Sequence, residues 1–248
     1  METQSRCAVV TGAGSGIGAG IAEALAPANR VILVGRREAA LATTRDRIVA
    51  GGAHADVLPW DIGAGQNAGD LVDAVLRLTG RLDVLVHAAG NQIRRPALEF
   101  AAADWDAVLG LHLRAAFLLA QAAGRHMVAH GGGAILFLAS LTSQRLGLAG
   151  GVAYATAKSG LLGLMRSLAV EWAPHGVRVN ALAVGFVPTE MTRDVDDTPG
   201  RRVLVGRTPM GRLGTPAEMG DAAAFLCCDA ARYITGEVLT VDGGWSAA

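Results

Sequence analysis

The sequence predicts an α/β protein: one doubly wound parallel sheet of about seven strands, with helices on both faces. Three observations predict it. Short apolar runs alternate with helical segments from one end of the chain to the other. The runs lack the polar alternation of half-exposed strands, as expected where both faces of a sheet are covered. No linker, repeat or low-complexity segment divides the 248 residues, so residues 1–248 are expected to form a single domain.

The strand-like runs are residues 7–10, 31–34, 55–58, 84–86, 134–138, 177–182 and 238–241. Helical patterns fill the gaps at 17–26, 38–50, 68–78, 104–130, 154–172 and 216–228. One stretch, 187–214, is rich in Pro, Gly, Thr and charge and has no clear period. So long an irregular stretch inside a compact domain reads as a substrate lid.

Composition narrows the function classes. Residues of hydrophobic type make up 51%, enough for one extensive core, and the formal charge is zero. A neutral surface gives no electrostatic case for nucleic acid or for an anionic membrane. No run approaches the roughly 18 uninterrupted apolar residues of an ordinary transmembrane helix. Residues 1–6 are polar and lead straight into a strand, so no secretory signal is expected and the protein is expected to be cytoplasmic. The odd count of three cysteines, Cys7, Cys227 and Cys228, has no metal-ligand spacing and reads as reduced structural thiols; no metal site is expected.

The first strand ends in Thr11-Gly12-Ala13-Gly14-Ser15-Gly16-Ile17-Gly18, and a helix opens directly behind it. Glycines there let the backbone turn tightly and approach a pyrophosphate, whose charge the helix N-terminus stabilises. Three residues rather than one separate Gly12 from Gly16, so the spacing differs from the common dinucleotide fingerprint. The second strand ends in Gly35-Arg36-Arg37, where an NAD enzyme usually carries an acid for the ribose hydroxyls. Two cations without that acid suit a 2′-phosphate, so NADP is expected over NAD. After the third strand, Asp61-Ile62 falls where an adenine amino group could be received.

The catalytic signal is Tyr154-Ala155-Thr156-Ala157-Lys158. A spacing of four puts both side chains on one helix face. All but one of the 22 basic residues are arginine, and the one lysine is Lys158. A guanidinium cannot replace a compact ammonium whose charge sits at one point. Free tyrosine titrates near pH ~10, so acid–base work near neutrality needs roughly 4 kcal/mol of help, part of which a nearby ammonium supplies. A hydroxyl should also polarise the reacting oxygen; Ser140, at the end of the fifth strand, is the candidate, with Thr142 and Ser143 in reserve.

These landmarks resemble the short-chain dehydrogenase/reductase family, in its single-domain branch, along essentially the whole chain. The resemblance rests on Thr11–Gly18, Asp61, Ala88-Ala89-Gly90, Ser140, Tyr154 with Lys158, Val179-Asn180-Ala181 and the closing Val241-Asp242-Gly243-Gly244. It implies a Rossmann-type sheet and a homotetramer. It also implies cofactor contacts at Gly12, Ser15, Gly16, Ile17, Gly18, Arg36, Arg37, Asp61, Ile62, Ala89, Gly90, Tyr154, Lys158, Val187 and Thr189. Three departures stand out. The turn after strand four usually carries two asparagines and here reads His87-Ala88-Ala89-Gly90. The family's assisting asparagine is His112 here, which makes His112 a catalytic candidate, whereas His87 reads as a core histidine. The interval from Ser140 to Tyr154 is one residue longer than usual.

The expected reaction is interconversion of a secondary alcohol and a ketone, with Tyr154 as acid/base, Lys158 tuning it and orienting the ribose, and Ser140 holding the substrate oxygen. Residues 91–100 and the ending Asp242-Gly243-Gly244-Trp245 resemble gluconate and deoxygluconate dehydrogenases of the family, pointing to a small sugar acid or polyol. Arg94 and Arg95, paired cations near the expected active-site mouth, are candidates for a substrate carboxylate. The main rival within enzymes is a 3-oxoacyl thioester reductase, against which stand a neutral charge and no evident basic patch for an acyl carrier. From another class the rival is a catalytically idle cofactor sensor, whose mark would be loss of Tyr154 or Lys158; both are present.

Overall fold

The seven apolar runs pair side by side in one parallel sheet. The computed structural model describes residues 6–63, 68–144, 146–190 and 199–248. In it the runs become β1 (Arg6–Thr11), β2 (Asn29–Gly35), β3 (Ala55–Pro59), β4 (Val84–His87), β5 (Gly133–Ser140), β6 (Val177–Val184) and β7 (Val238–Val241). Their order is β3-β2-β1-β4-β5-β6-β7, and every neighbouring pair is parallel. Connections from β1 run one way to β2 and β3 and the other way from β4 onward. At that reversal a crevice opens beyond the carboxyl ends of β1 and β4.

The helices are α1 (Gly16–Leu25), α2 (Glu38–Ala50), α3 (Ala68–Thr79), α4 (Ala102–Leu109), α5 (Ala115–Ala129), α6 (Val152–Trp172), α7 (Pro199–Arg207) and α8 (Pro216–Cys227). Successive strand side chains point to opposite faces, and in the five inner strands both sets are mostly buried, while the edge strands β3 and β7 are half-buried. Val9, Ile32, Leu85, Phe137 and Val179 pack under α3, α5 and α6 through Leu71, Leu119 and Met165. Val10, Leu33, Val86, Leu136 and Leu182 pack under α1, α2 and α8 through Ile21, Leu41 and Met219. Continuous apolar runs are the consequence of this two-sided burial. Cys7 and Cys227 are buried free thiols, and loss of hydration pushes them up to about 11 and about 12, so both are inert.

Two expectations need correction. The stretch read as one helix over 104–130 begins at Ala102 and is broken by a π-helical turn, Gly110–Arg114, between α4 and α5. The Ala115 amide bonds to the Gly110 carbonyl across that wider turn. The stretch read as irregular over 187–214 contains α7; its residues 191–198 lie outside the described residues, as do residues 1–5.

Candidate active site

At the tip of β1 the chain turns through Gly12, whose amide donates to the Val34 carbonyl at 2.8 Å. Gly12 has φ +71°, and a β-carbon on it would stand 2.8 Å from the Ala89 backbone. A β-carbon on Gly18 would overlap the Gly12 carbonyl. Thr11 Oγ1 accepts from the Ala88 and Ala89 amides, at 3.2 Å each, and so ties this turn to the one after β4. Ser15 is the N-cap of α1 but makes no side-chain bond to the helix. The result is a glycine-lined helix N-terminus, which fits a dinucleotide pyrophosphate.

Beside this N-terminus the two arginines at the end of β2 part company. Arg37 donates to Ser15 Oγ at 3.1 Å and to Glu190 at 2.8 Å. Arg36 is exposed and makes no hydrogen bond or ion pair with the described residues. Asp61 spends one carboxylate oxygen on the Gly63 amide at 2.9 Å, and Ile62 packs against the core.

Tyr154 and Lys158 lie on the first turns of α6, with Lys158 Nζ 5.6 Å from the centre of the phenol ring. Lys158 is 3% exposed and donates to the Leu138 carbonyl. Burial alone pulls its pKa down to about 7. Burial likewise raises Tyr154 above its ordinary value, while the bonded Ser140 hydroxyl and the charge of Arg94 pull the other way. The opposing pulls on the phenol therefore come from Ser140 and Arg94, and the lysine is itself close to losing its charge. The three candidate hydroxyls sit differently. Ser143 Oγ accepts from the Ser140 amide at 3.1 Å, Ser140 Oγ accepts from the Thr142 amide at 3.3 Å and is also bonded to Tyr154, and Thr142 Oγ1 is buried with no bonding partner among the described residues.

His112 is carried inward by the π-helical turn. Its Nε2 is 2.7 Å from the Asn91 carbonyl and 3.1 Å from the Asn91 amide. With Nε2 donating to the Asn91 carbonyl, the shorter of the two contacts, Nδ1 is an acceptor, buried and without a partner among the described residues. Burial first, then the charge of Lys158, hold its pKa well below the ordinary value, so the ring is neutral. His87 is a core residue as expected: fully buried, 3.4 Å from Thr11 Oγ1 and pushed down to about 3, mainly by burial.

A cleft joins these parts. Its wall includes Ile17, Gln92, Arg94, Ser140, Thr142, Tyr154, Val187 and Thr189, with Leu146, Leu148, Leu204 and Leu213 on its apolar side. Arg94 is therefore in the site. Arg95 is not: it pairs with Asp104 of α4 at 3.0 Å, because that carboxylate lies across the loop from it. Two landmarks of the sequence are structural. Asn180 bonds the Ile234 carbonyl and the Glu237 amide, and Asp242 accepts from the Gly244 and Ser246 amides. Thr142, a reserve candidate in the sequence, is on the wall, while Gln92 and Glu190 gave no sequence signal of their own as site residues, although Gln92 falls in the segment 91–100.

A family model described as enoyl-(acyl carrier protein) reductase matches residues 12–246. The 2-dehydro-3-deoxy-D-gluconate 5-dehydrogenase of Bacillus subtilis is 37% identical over 246 residues, 98% of this chain and 95% of that protein. The galactitol 2-dehydrogenase (L-tagatose-forming) of Cereibacter sphaeroides is 41% identical over 245 residues, 97% of this chain and 94% of that one. The crystal structure of a gluconate 5-dehydrogenase from Burkholderia cenocepacia, in complex with NADP and tartrate, is similar at a TM-score of 0.92 and 35% identity, covering 99% of this chain and 96% of that chain.

Proposed function

The chain belongs to the short-chain dehydrogenase/reductase family, and on that premise we propose that it interconverts a secondary alcohol and a ketone on a small sugar acid or polyol, with NADP preferred over NAD. The observation that carries the substrate class is Arg94, a cation on the cleft wall close enough to Tyr154 to act on its charge. A carboxylate held by Arg94 would bring a nearby carbinol to the phenol. The relatives act, by name, on gluconate derivatives and galactitol, which supports the same class.

Gly12, Ser15, Gly16, Ile17, Gly18, Ala89, Gly90, Val187 and Thr189, with Asp61 and Ile62 toward the adenine, would hold the nicotinamide cofactor, which would supply or accept the hydride. The rest falls to side chains. Ser140 bonds the substrate oxygen. Tyr154 takes the alcohol proton in oxidation and returns it in reduction. Lys158 shares a proton with Tyr154 and orients the ribose, and neutral His112 offers Nδ1 to a water leading away from that pair. We assign Arg36 and Arg37 to the 2′-phosphate, since no acid stands at Gly35 to repel it.

The fuller reading is one catalytic domain over residues 1–248 with 187–214 as substrate lid, working in the cytoplasm as a homotetramer without membrane or nucleic-acid partners. Support comes from the zero net charge, the free cysteines and the wall residues Val187, Leu204 and Leu213. The stretch Ala102–Ala129 is long and apolar enough to cross a membrane, but Val108, Leu119, Ala123 and Met127 in it are buried within the fold. The tetramer rests on the family resemblance. The test is kcat/KM for matched sugar acids, polyols and a 3-oxoacyl thioester, each with NADP and NAD, in wild type and Arg36→Ala. Sugar acids or polyols should lead, and Arg36→Ala should erase the NADP preference. A leading thioester, or an NAD preference that Arg36→Ala leaves unchanged, overturns the corresponding half of the reading.

A further inference from the structure

Three side chains from three separate segments meet over the glycine-rich turn. Arg37 Nη2, at the end of β2, lies 2.8 Å from Glu190 Oε2 and 3.1 Å from Ser15 Oγ. Ser15 Oγ is itself 3.4 Å from Glu190 Oε2. The backbone ahead of Glu190 rests on the same turn, since a β-carbon on Gly16 would stand 3.0 Å from Thr189 Cγ2. Arg36, one residue away, is left exposed with no ion pair to a described residue.

This corner concentrates positive charge: two guanidinium groups beside the N-terminus of α1. Glu190 brings one negative charge to it, on the very guanidinium suited to an incoming phosphate. The pair is open to solvent, with side chains 61% and 46% exposed, so it is screened and readily exchanged. A 2′-phosphate carries more charge than a carboxylate and can take two donors of a guanidinium fork.

From this geometry we propose that Glu190 is a specificity-determining residue, an internal counter-ion that competes with the cofactor's 2′-phosphate for Arg37 and so lowers the preference for NADP. The inference rests on the assignment of Arg36 and Arg37 to the 2′-phosphate corner. A nucleotide without that phosphate does not compete with Glu190, and its affinity is indifferent to the carboxylate.

Calorimetric titration with adenosine 2′,5′-bisphosphate and with 5′-AMP isolates this end of the site and needs no turnover. Glu190→Gln keeps the side chain's shape and removes its charge. It should bind the bisphosphate about three- to tenfold more tightly and leave 5′-AMP within about twofold. In an Arg37→Ala background the same substitution should have no such selective effect. Equal tightening of both nucleotides, no change in either, or weakening of both overturns the proposal; the last would mean that Glu190 straps the adenosine in place. A wild type that binds both nucleotides equally defeats the NADP assignment, yet a selective gain in Glu190→Gln would still uphold the counter-ion.

Discussion

The imidazole of His112 meets the ring of Tyr154 edge-on, with 5.3 Å between centroids and 87° between planes. This places a neutral ring, its Nδ1 without a partner among the described residues, against the residue expected to exchange the proton. Asparagine could hold the same water by its amide, and leucine could not. His112→Asn should keep substantial activity, while His112→Leu should lose about ten- to a hundredfold in kcat. If His112→Leu lowers only the melting temperature and spares kcat, the histidine packs and does no more.

Tyr154→Phe removes one hydroxyl from a ring that otherwise stays in place. Turnover should fall below about a tenth of wild type, with cofactor affinity by fluorescence titration and melting temperature nearly unchanged. Retention of more than that tenth puts less than about 1.4 kcal/mol at stake and removes Tyr154 from the acid–base role.

Burial acts oppositely on Tyr154 and Lys158, raising the phenol and lowering the ammonium. The first proton to leave comes from Lys158, at about 7, since burial has pulled it down from 10.5 while it raises the phenol. Only then has the pair room for the alcohol's proton. Oxidation should therefore rise with pH through about 7, and in Lys158→Met the rise should move to alkaline pH. The same shift fixes a stability trend. Between about 7 and 10.5 the unfolded chain binds the extra proton, so stability rises with pH across that window. Below about 7 the full cost of burying the ammonium is present. A limb that Lys158→Met leaves where it was would remove the lysine from the titration.

How far the sequence was legible follows from what each residue faces. The strands stand out because both faces of the sheet are covered, so Val31 to Val34 read as one apolar run and all four are buried. Tyr154 and Lys158 stand out because helical spacing alone joins them. The π-helical turn carries no mark, since Gly110-Leu111-His112-Leu113-Arg114 continues an ordinary helical pattern. Helix α7, Pro-Gly-Arg-Arg-Val-Leu-Val-Gly-Arg, is short and basic with no apolar stripe, so nothing in its composition announces it. The division of labour between Arg94 and Arg95, like the meeting of Arg37 with Glu190, depends on carboxylates brought from other segments. Adjacent identical residues cannot reveal it.

Arg94 and Arg95 should separate in kinetics as they do in space. Arg94→Ala should raise KM for sugar acids about tenfold or more while sparing neutral polyols, as loss of one charge-assisted contact requires. Arg95→Ala breaks an ion pair whose arginine is 55% exposed, and should leave KM for both classes within about twofold. Equal effects of Arg94→Ala on acids and polyols would assign it to the phenol or the fold instead.

Gly90 offers a test of how His112 is held. A β-carbon on Gly90 would overlap His112 Cε1 and come within 3.2 Å of both ring nitrogens. The ring cannot swing away freely: it is 1% exposed, bonded to the Asn91 backbone and packed on Tyr154. Overpacking of this kind costs about 1–3 kcal/mol. Gly90→Ala should therefore lower stability by that order in denaturant titration, and lower kcat as the imidazole is displaced. Asparagine at position 112 has no ring to meet the new methyl. In a His112→Asn background Gly90→Ala should cost markedly less of both, giving a coupling between the two sites of about 1 kcal/mol or more. Additive effects would mean that Gly90 serves only the turn after β4, and that the imidazole finds its place without it.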